Sequence, residues 1–272
     1  MSNSEFRVSF SSLEVYRSCP RKYYYSYILK LPKIDRPWFV FGNFNHLILE
    51  KFFKYILYFR KRKVAYDKKS LMYRAFKSAL RKFHRLALAN KTMPLTDKQI
   101  DETKNIIKNF FNKVSESEPN VFAVEKEIIL DLGEGTHLIG YIDRIDKISD
   151  TEFRIVDYKT SKEAYSVKKN DQLDIYAIGF KNSMGDSELS VYKQLDFIKL
   201  GKETDPNIRH DNSKDEEIID KIKTLSNEIK VKKELYSDNR AKWEPIENGF
   251  CWSCDFKRTC LFDRGSQDSL EL

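Results

Sequence analysis

Two short acidic segments carry the most chemistry in this sequence: Gly140-Tyr141-Ile142-Asp143-Arg144 and Ile155-Val156-Asp157-Tyr158-Lys159-Thr160. Each acid sits among apolar, β-branched residues, the composition of a strand. Ser149-Asp150-Thr151 between them has turn residues. A loop of those residues sets Ile148 against Glu152 and brings Asp143 opposite Asp157. Lys159 then projects from the same face as Asp157. Two carboxylates beside an ammonium suit a divalent cation, which offsets the repulsion between the acids. Such a site can hydrolyse phosphodiesters. The alternative is a solvent-exposed cross-strand ion pair. The flanking Ile142, Ile145, Ile155 and Val156 argue against it, because an unpaired acid in a sheet core is costly.

A third donor lies upstream. In Gly42-Asn43-Phe44-Asn45-His46, with Glu50 one turn later, Gly42, His46 and Glu50 share a helix face. A lone histidine is commonly a core or capping residue. Beside two carboxylates it completes a mixed nitrogen and oxygen set suited to Mg²⁺ or Mn²⁺. Downstream, Gln172 and Tyr176 stand four apart on the next helix. They are either a solvated polar face or a pair that orients water and grips the substrate backbone.

The four cysteines form one remote residue and a triplet, Cys19 and Cys251-x₂-Cys254-x₅-Cys260. Zinc sites more often use two close pairs. A triplet with one distant partner suits a 4Fe–4S cluster, with zinc and unligated thiols as the alternatives. A bound centre there would pin the N-terminal helices to the C-terminal segment.

Several elements must position these groups. Ser11 to Glu14 fits a capping box that starts a helix ending near Ser18. Pro20 can open a second helix through Tyr27. Helices follow over about 39–62, 67–90 and 97–117, then strands over 121–132, 136–148 and 152–160. A helix over 169–182, a strand over 189–200, a polar loop over 201–215 and a helix over 214–235 complete the order. The expectation is a single α/β domain over 1–272. Within it lie a helical insertion at about 60–118, a cysteine segment at 236–262 and a mobile tail at 263–272.

Composition narrows the partners. The chain has 272 residues, 41% of them hydrophobic, and a net charge of +8. A pI near 9.0 favours a polyanion. From Lys51 to Lys91, Asp67 is the one acid in a dense run of Lys and Arg interleaved with Phe and Tyr. That run is a nucleic-acid groove with stacking aromatics, a pair of amphipathic helices with solvated charges, or both. No apolar run approaches a membrane span, and Met1 to Glu5 does not open a signal peptide, so the expected location is cytoplasmic. The chain has no P-loop motif, so any helicase would be a separate partner. Gly133-x-Gly135-x₄-Gly140 fits no dinucleotide fingerprint.

Taken together, these segments resemble the PD-(D/E)XK nuclease superfamily, and within it the RecB-type iron–sulfur branch. That branch includes the AddB nuclease domain and CRISPR-associated single-strand exonucleases. Ser11-Ser12-Leu13, Tyr16 and Cys19-Pro20 are similar to the N-terminal segment, Gly42-x₃-His46 to the histidine motif, and the Asp143 and Asp157-Tyr158-Lys159 segments to the acidic motifs. Gln172-x₃-Tyr176 and the cysteine triplet are similar to the helix and cluster motifs.

The resemblance implies a restriction-endonuclease-like core in αβββαβ order. His46, Asp143, Asp157 and the Tyr158 carbonyl would bind Mg²⁺ or Mn²⁺. Lys159 would stabilise transition-state charge, with Gln172 and Tyr176 assisting. Cys19, Cys251, Cys254 and Cys260 would hold the 4Fe–4S cluster. Glu125 or Glu127 could reach the second layer around the metal. The expected activity is a deoxyribonuclease, an exonuclease on single-stranded or frayed DNA ends, in recombination, repair, phage or CRISPR adaptation. The rival is a non-catalytic nucleic-acid-binding module with a structural Cys₄ metal site, which has no need of His46, Asp143, Asp157 and Lys159.

Overall fold

A computed structural model of the chain describes residues 5–167 and 171–261. The tail expected to be mobile lies outside these residues, as does the expected helix start at Lys169. The chain gathers into two compact units. Of the described residues, the first comprises 5–34, 130–139 and 216–261; the second comprises 35–129, 140–167 and 171–215.

The second unit is built on a mixed sheet. Strands β2 (Val121–Gly133), β3 (Thr136–Lys147) and β4 (Glu152–Lys159) follow one another, and both β2 and β3 also contribute residues to the first unit. β3 and β4 pair antiparallel, with Arg144 opposite Val156 and Ile145 opposite Ile155. This is the register expected from the turn, closed by the Ile148 N–H donating to the Glu152 carbonyl at 2.9 Å. β5 (Ser190–Phe197) runs parallel to β4, as the intervening helix α6 (Asp171–Met184) requires. The two-residue strand β6 (Lys202–Glu203) pairs back on β5 inside the stretch expected to be loop.

Both faces of this sheet are covered. Val156 and Tyr158 of β4 enter a core made by α3 (Pro37–Lys61), α4 (Lys68–Leu88) and α5 (Asp97–Glu116). Phe153, on the other face of β4, packs its ring 5.2 Å from Phe180 of α6. Asp157 alternates with Val156 and so points to the α6 side. Local chemistry sets the helix starts. Pro37 occupies the first turn of α3, the Asp67 carboxylate caps α4, and Thr96 with Gln99 forms a reciprocal capping box on α5. The α/β class is that expected, with a restriction-endonuclease-like arrangement, and α3 to β5 follow the expected order.

The first unit corrects two expectations. A short strand, β1 (Phe6–Val8), pairs parallel with Thr136–Leu138 of β3. The chain therefore turns earlier than expected: Ser9, not Ser11, caps α1 (Phe10–Ser18), exchanging hydrogen bonds with Ser12. Pro20 does open α2 (Pro20–Tyr23), which passes into a π-helical turn at Tyr24–Ile28. Trp243, which follows α7 (Asp215–Tyr236), is fully buried here. Its ring lies 5.9 Å from Tyr23, 6.2 Å from Tyr16 and 5.5 Å from Tyr24. Arg21 donates to the Trp243 carbonyl at 2.7 Å, and the indole N–H donates to the Tyr236 carbonyl at 2.8 Å. This aromatic clasp joins the N-terminal helices to the C-terminal segment without help from the cysteines.

Candidate active site

The two acids meet where the β3–β4 ladder ends. One residue past the Arg144–Val156 pair, the Asp143 carboxylate takes the Tyr158 backbone N–H at 2.8 Å. Asp157 is buried, and its Oδ2 forms an ion pair with Lys159 Nζ at 2.5 Å. Burial, and then repulsion from Asp143, pushes the Asp157 carboxyl up to about 6. Burial opposes the charge on Lys159, but the Asp157 carboxylate outweighs it and raises the ammonium above its ordinary value.

His46 completes the group from α3. Its Nδ1 lies 3.4 Å from Asp143 Oδ2, and its ring packs edge-on to Tyr158 with centroids 5.9 Å apart. Burial works against the imidazolium, yet Asp143 and then Asp157 raise it above its ordinary value. Tyr158 is held from beneath. Its hydroxyl accepts from Arg144 at 2.8 Å, and the buried guanidinium is paired with Asp146 at 2.9 Å. Gly42 explains its place in the α3 motif: a Cβ there would sit 3.1 Å from Thr160 Oγ1, so the glycine admits the end of β4.

α6 supplies the other flank. Gln172 donates its amide N–H to the Tyr176 hydroxyl at 2.7 Å. Tyr176 is buried, which rules out the solvated-face reading for it, and burial pushes its phenol up to about 12. Its depth depends on two glycines. A Cβ on Gly140 would stand 2.8 Å from Tyr176 Cε1, and one on Gly179 would stand 2.5 Å from Ile128 Cδ1.

Glu125 belongs to this group more closely than its sequence suggests. Burial, then Asp143 and Glu50, push its carboxyl up to about 7. It sits at φ 51°, a left-handed conformation in mid-strand. The signal was a phase change in β2: Val121 is buried at an odd position, whereas Ile128, Leu130 and Leu132 are buried at even ones. One extra residue must be absorbed between them, as a bulge does. Glu127 is elsewhere, accepting from the Tyr141 hydroxyl at 2.7 Å.

Among the described residues no three His, Cys, Asp or Glu side chains converge as a single metal ion requires. The donor chemistry nevertheless fits a hard divalent cation: the carboxyls of buried Asp157 and half-buried Glu125, both raised by burial and then by the charge of Asp143, beside one imidazole.

In the first unit Cys19, Cys251, Cys254 and Cys260 form no disulfide, and all four line one cavity of about 260 Å³. Tyr25, Ile246 and Phe256 supply apolar wall, and the Asn248 N–H points at Cys251 Sγ, 3.4 Å away.

The family profile of the PD-(D/E)XK nuclease superfamily matches residues 7–261. The chain belongs to that superfamily, whose members are generally nucleases that use Mg²⁺ or Mn²⁺. No curated protein matches the sequence. Among the described residues no helix is long and apolar enough to cross a membrane.

Proposed function

We propose that this protein is a divalent-metal-dependent deoxyribonuclease of the RecB-type iron–sulfur branch, acting as an exonuclease on single-stranded or frayed DNA ends. The observation that carries the reading is the coupled group of His46, Asp143, Asp157 and Lys159 at the end of the β3–β4 ladder. A protein that only binds DNA gains nothing from buried acids, which repel phosphates.

His46, Asp143, Asp157 and the Tyr158 carbonyl would hold the metal ion. Mg²⁺ or Mn²⁺, when bound, polarises the phosphate and lowers the pKa of water. Lys159 keeps its proton, because its ammonium is favoured by Asp157, and so it acts as a fixed positive charge for the developing phosphorane. Tyr176 stays neutral with its phenol near 12, and its oxygen already accepts from Gln172. Its own proton is therefore available for a substrate or water oxygen.

The four cysteines would hold a structural 4Fe–4S cluster, one thiolate for each iron. The four thiols line one cavity, and a triplet with one remote partner favours a cluster over a zinc ion held by two close pairs. A separate helicase, or proteins of recombination, repair or CRISPR adaptation, would deliver the DNA end inside the cell.

Digestion of end-labelled single- and double-stranded DNA under anaerobic conditions tests the proposal. Cleavage should require Mg²⁺ or Mn²⁺ and vanish in Asp157→Ala. Unchanged metal-dependent cleavage by that variant would overturn the site.

A further inference from the structure

α4 carries a ridge that the fold does not need. Its inward face, Leu71, Met72, Ala75, Ala79 and Phe83, is buried. Its outward face repeats at every fourth residue: Lys69, Tyr73, Lys77, Arg81 and Arg85, all exposed. The ridge is about 24 Å long at 1.5 Å per residue. Neighbouring cations at this spacing repel and weaken the helix. The arrangement therefore costs stability unless an anion covers it.

A trough runs beside this ridge, between α4 and α5. One hollow of about 450 Å³ is lined by Tyr73, Phe76 and Phe111, with Lys69, Lys77, Lys104 and Lys108 around them. A second is lined by Leu80 and Ile100, with Arg81, His84 and Arg85. No acidic side chain lines either one. Asp101 pairs with Lys104 at 2.8 Å from outside the lining, but both side chains are more than half exposed, so the pair is weak.

We propose that the α4–α5 trough is a binding site for single-stranded DNA, separate from the group around Asp157 and independent of metal. Charge selects an anion with several negative groups in a row. The aromatic surfaces select one that also presents flat faces, as unpaired bases do. A duplex hides those faces in its own stack. The trough shares no residue with the catalytic candidates and offers no carboxylate for a cation to neutralise, so occupancy needs none. The choice of DNA over RNA rests on the nuclease reading; the site itself does not.

The test uses the full chain in EDTA, where metal-dependent cleavage cannot interfere and a failure of the nuclease reading is not confused with a failure of this one. Fluorescein-labelled oligo(dT) should bind, by anisotropy, with an affinity that falls steeply with salt. Combined Lys77→Ala, Arg81→Ala and Lys108→Ala should lower the salt slope by about 2, since each single-strand phosphate contact contributes about 0.7. Tyr73→Ala should weaken binding about tenfold through lost stacking. An oligonucleotide carrying 5-iodouracil should photo-crosslink to Tyr73 or Phe111. All four substituted positions are exposed, so circular dichroism should be unchanged. Unaltered binding by both variants, or crosslinks confined to residues outside 68–116, would overturn the proposal. So would variants that keep oligo(dT) binding but lose a polyglutamate peptide, which would assign the trough to an acidic protein partner.

Discussion

The carboxylate of Asp143 takes the backbone N–H of Tyr158, 2.8 Å away, in the place where the next rung of the β3–β4 ladder would fall. One side chain thus closes the sheet and faces the candidate metal site. Asp143→Asn keeps an acceptor for that N–H and loses the charge. The expected result is a fold of near-normal stability with cleavage reduced at least about a hundredfold, because several kcal/mol of barrier depend on the charge. Asp143→Ala should in addition lower stability by about 1–3 kcal/mol, since the N–H loses its partner. Thermal unfolding read beside the cleavage assay separates the two effects. Equal melting temperatures for the two variants would refute the structural half.

The buried acids make a second prediction, on pH. Asp157 is raised to about 6 and Glu125 to about 7, so the folded state holds protons that the unfolded chain has released. Stability of the metal-free protein should therefore fall as pH rises from about 4 to 7. His46 acts in the same direction: it is raised by its carboxylate neighbours, and its contribution is lost as pH climbs through its folded value. In EDTA the melting temperature should be higher at pH 5 than at pH 7.5, and Asp157→Asn should gain about 1–3 kcal/mol at the higher pH. Added Mn²⁺ should restore stability at pH 7.5 and release protons. A melting temperature in EDTA that climbs steadily over this range would contradict the account of the site.

Gly179 gives a packing prediction. Gly179→Ala places a methyl 2.5 Å from Ile128 Cδ1 and 3.0 Å from its Cβ, so α6 must shift. A loss of about 1–3 kcal/mol is expected, with slower cleavage because Tyr176 rides on that helix. Ile128→Val removes the nearest atom and should recover part of both losses. Strictly additive effects in the double variant would show that the two residues do not share this contact.

For the cysteines, protein purified without oxygen should be brown, with broad absorption near 400 nm and about four irons per chain. Cys19→Ser should lose the colour. Because Trp243, Tyr16, Tyr23 and Tyr24 already join the two ends of the first unit, that variant should remain folded. Trp243→Ala, which empties the clasp, should cost about 3–5 kcal/mol and expose both ends to protease. One zinc per colourless chain would replace the cluster assignment and leave the nuclease reading intact.

The hairpin was legible because local chemistry fixes it: Ser149-Asp150-Thr151 sets the loop, and the loop sets which residues face each other. Lys159 followed from alternation alone. Helices with strong caps, such as α5 behind Thr96, were also readable to within a residue or two. What escaped were features decided by distant partners. β1 is three residues that pair with Thr136–Leu138, and nothing within them announces that partner. Missing it displaced the first cap from Ser9 to Ser11. Glu125 was considered but not placed, because its approach depends on a bulge that shows only as a change of phase along β2. The Trp243 clasp draws its members from both ends of the first unit, so no local window contains it.

The burial of Trp243 also has an optical consequence. The chain has three tryptophans, and the other two, Trp38 and Trp252, are 58% and 76% exposed. Trp243 has by far the most buried environment to lose, so the red shift of indole emission on denaturation should come mainly from the first unit. Trp38, the tryptophan of the second unit, is already more than half exposed. Emission therefore follows the clasp, while far-ultraviolet dichroism is dominated by the long helices α3, α4 and α5 of the second unit, and the two signals give each unit its own melting curve.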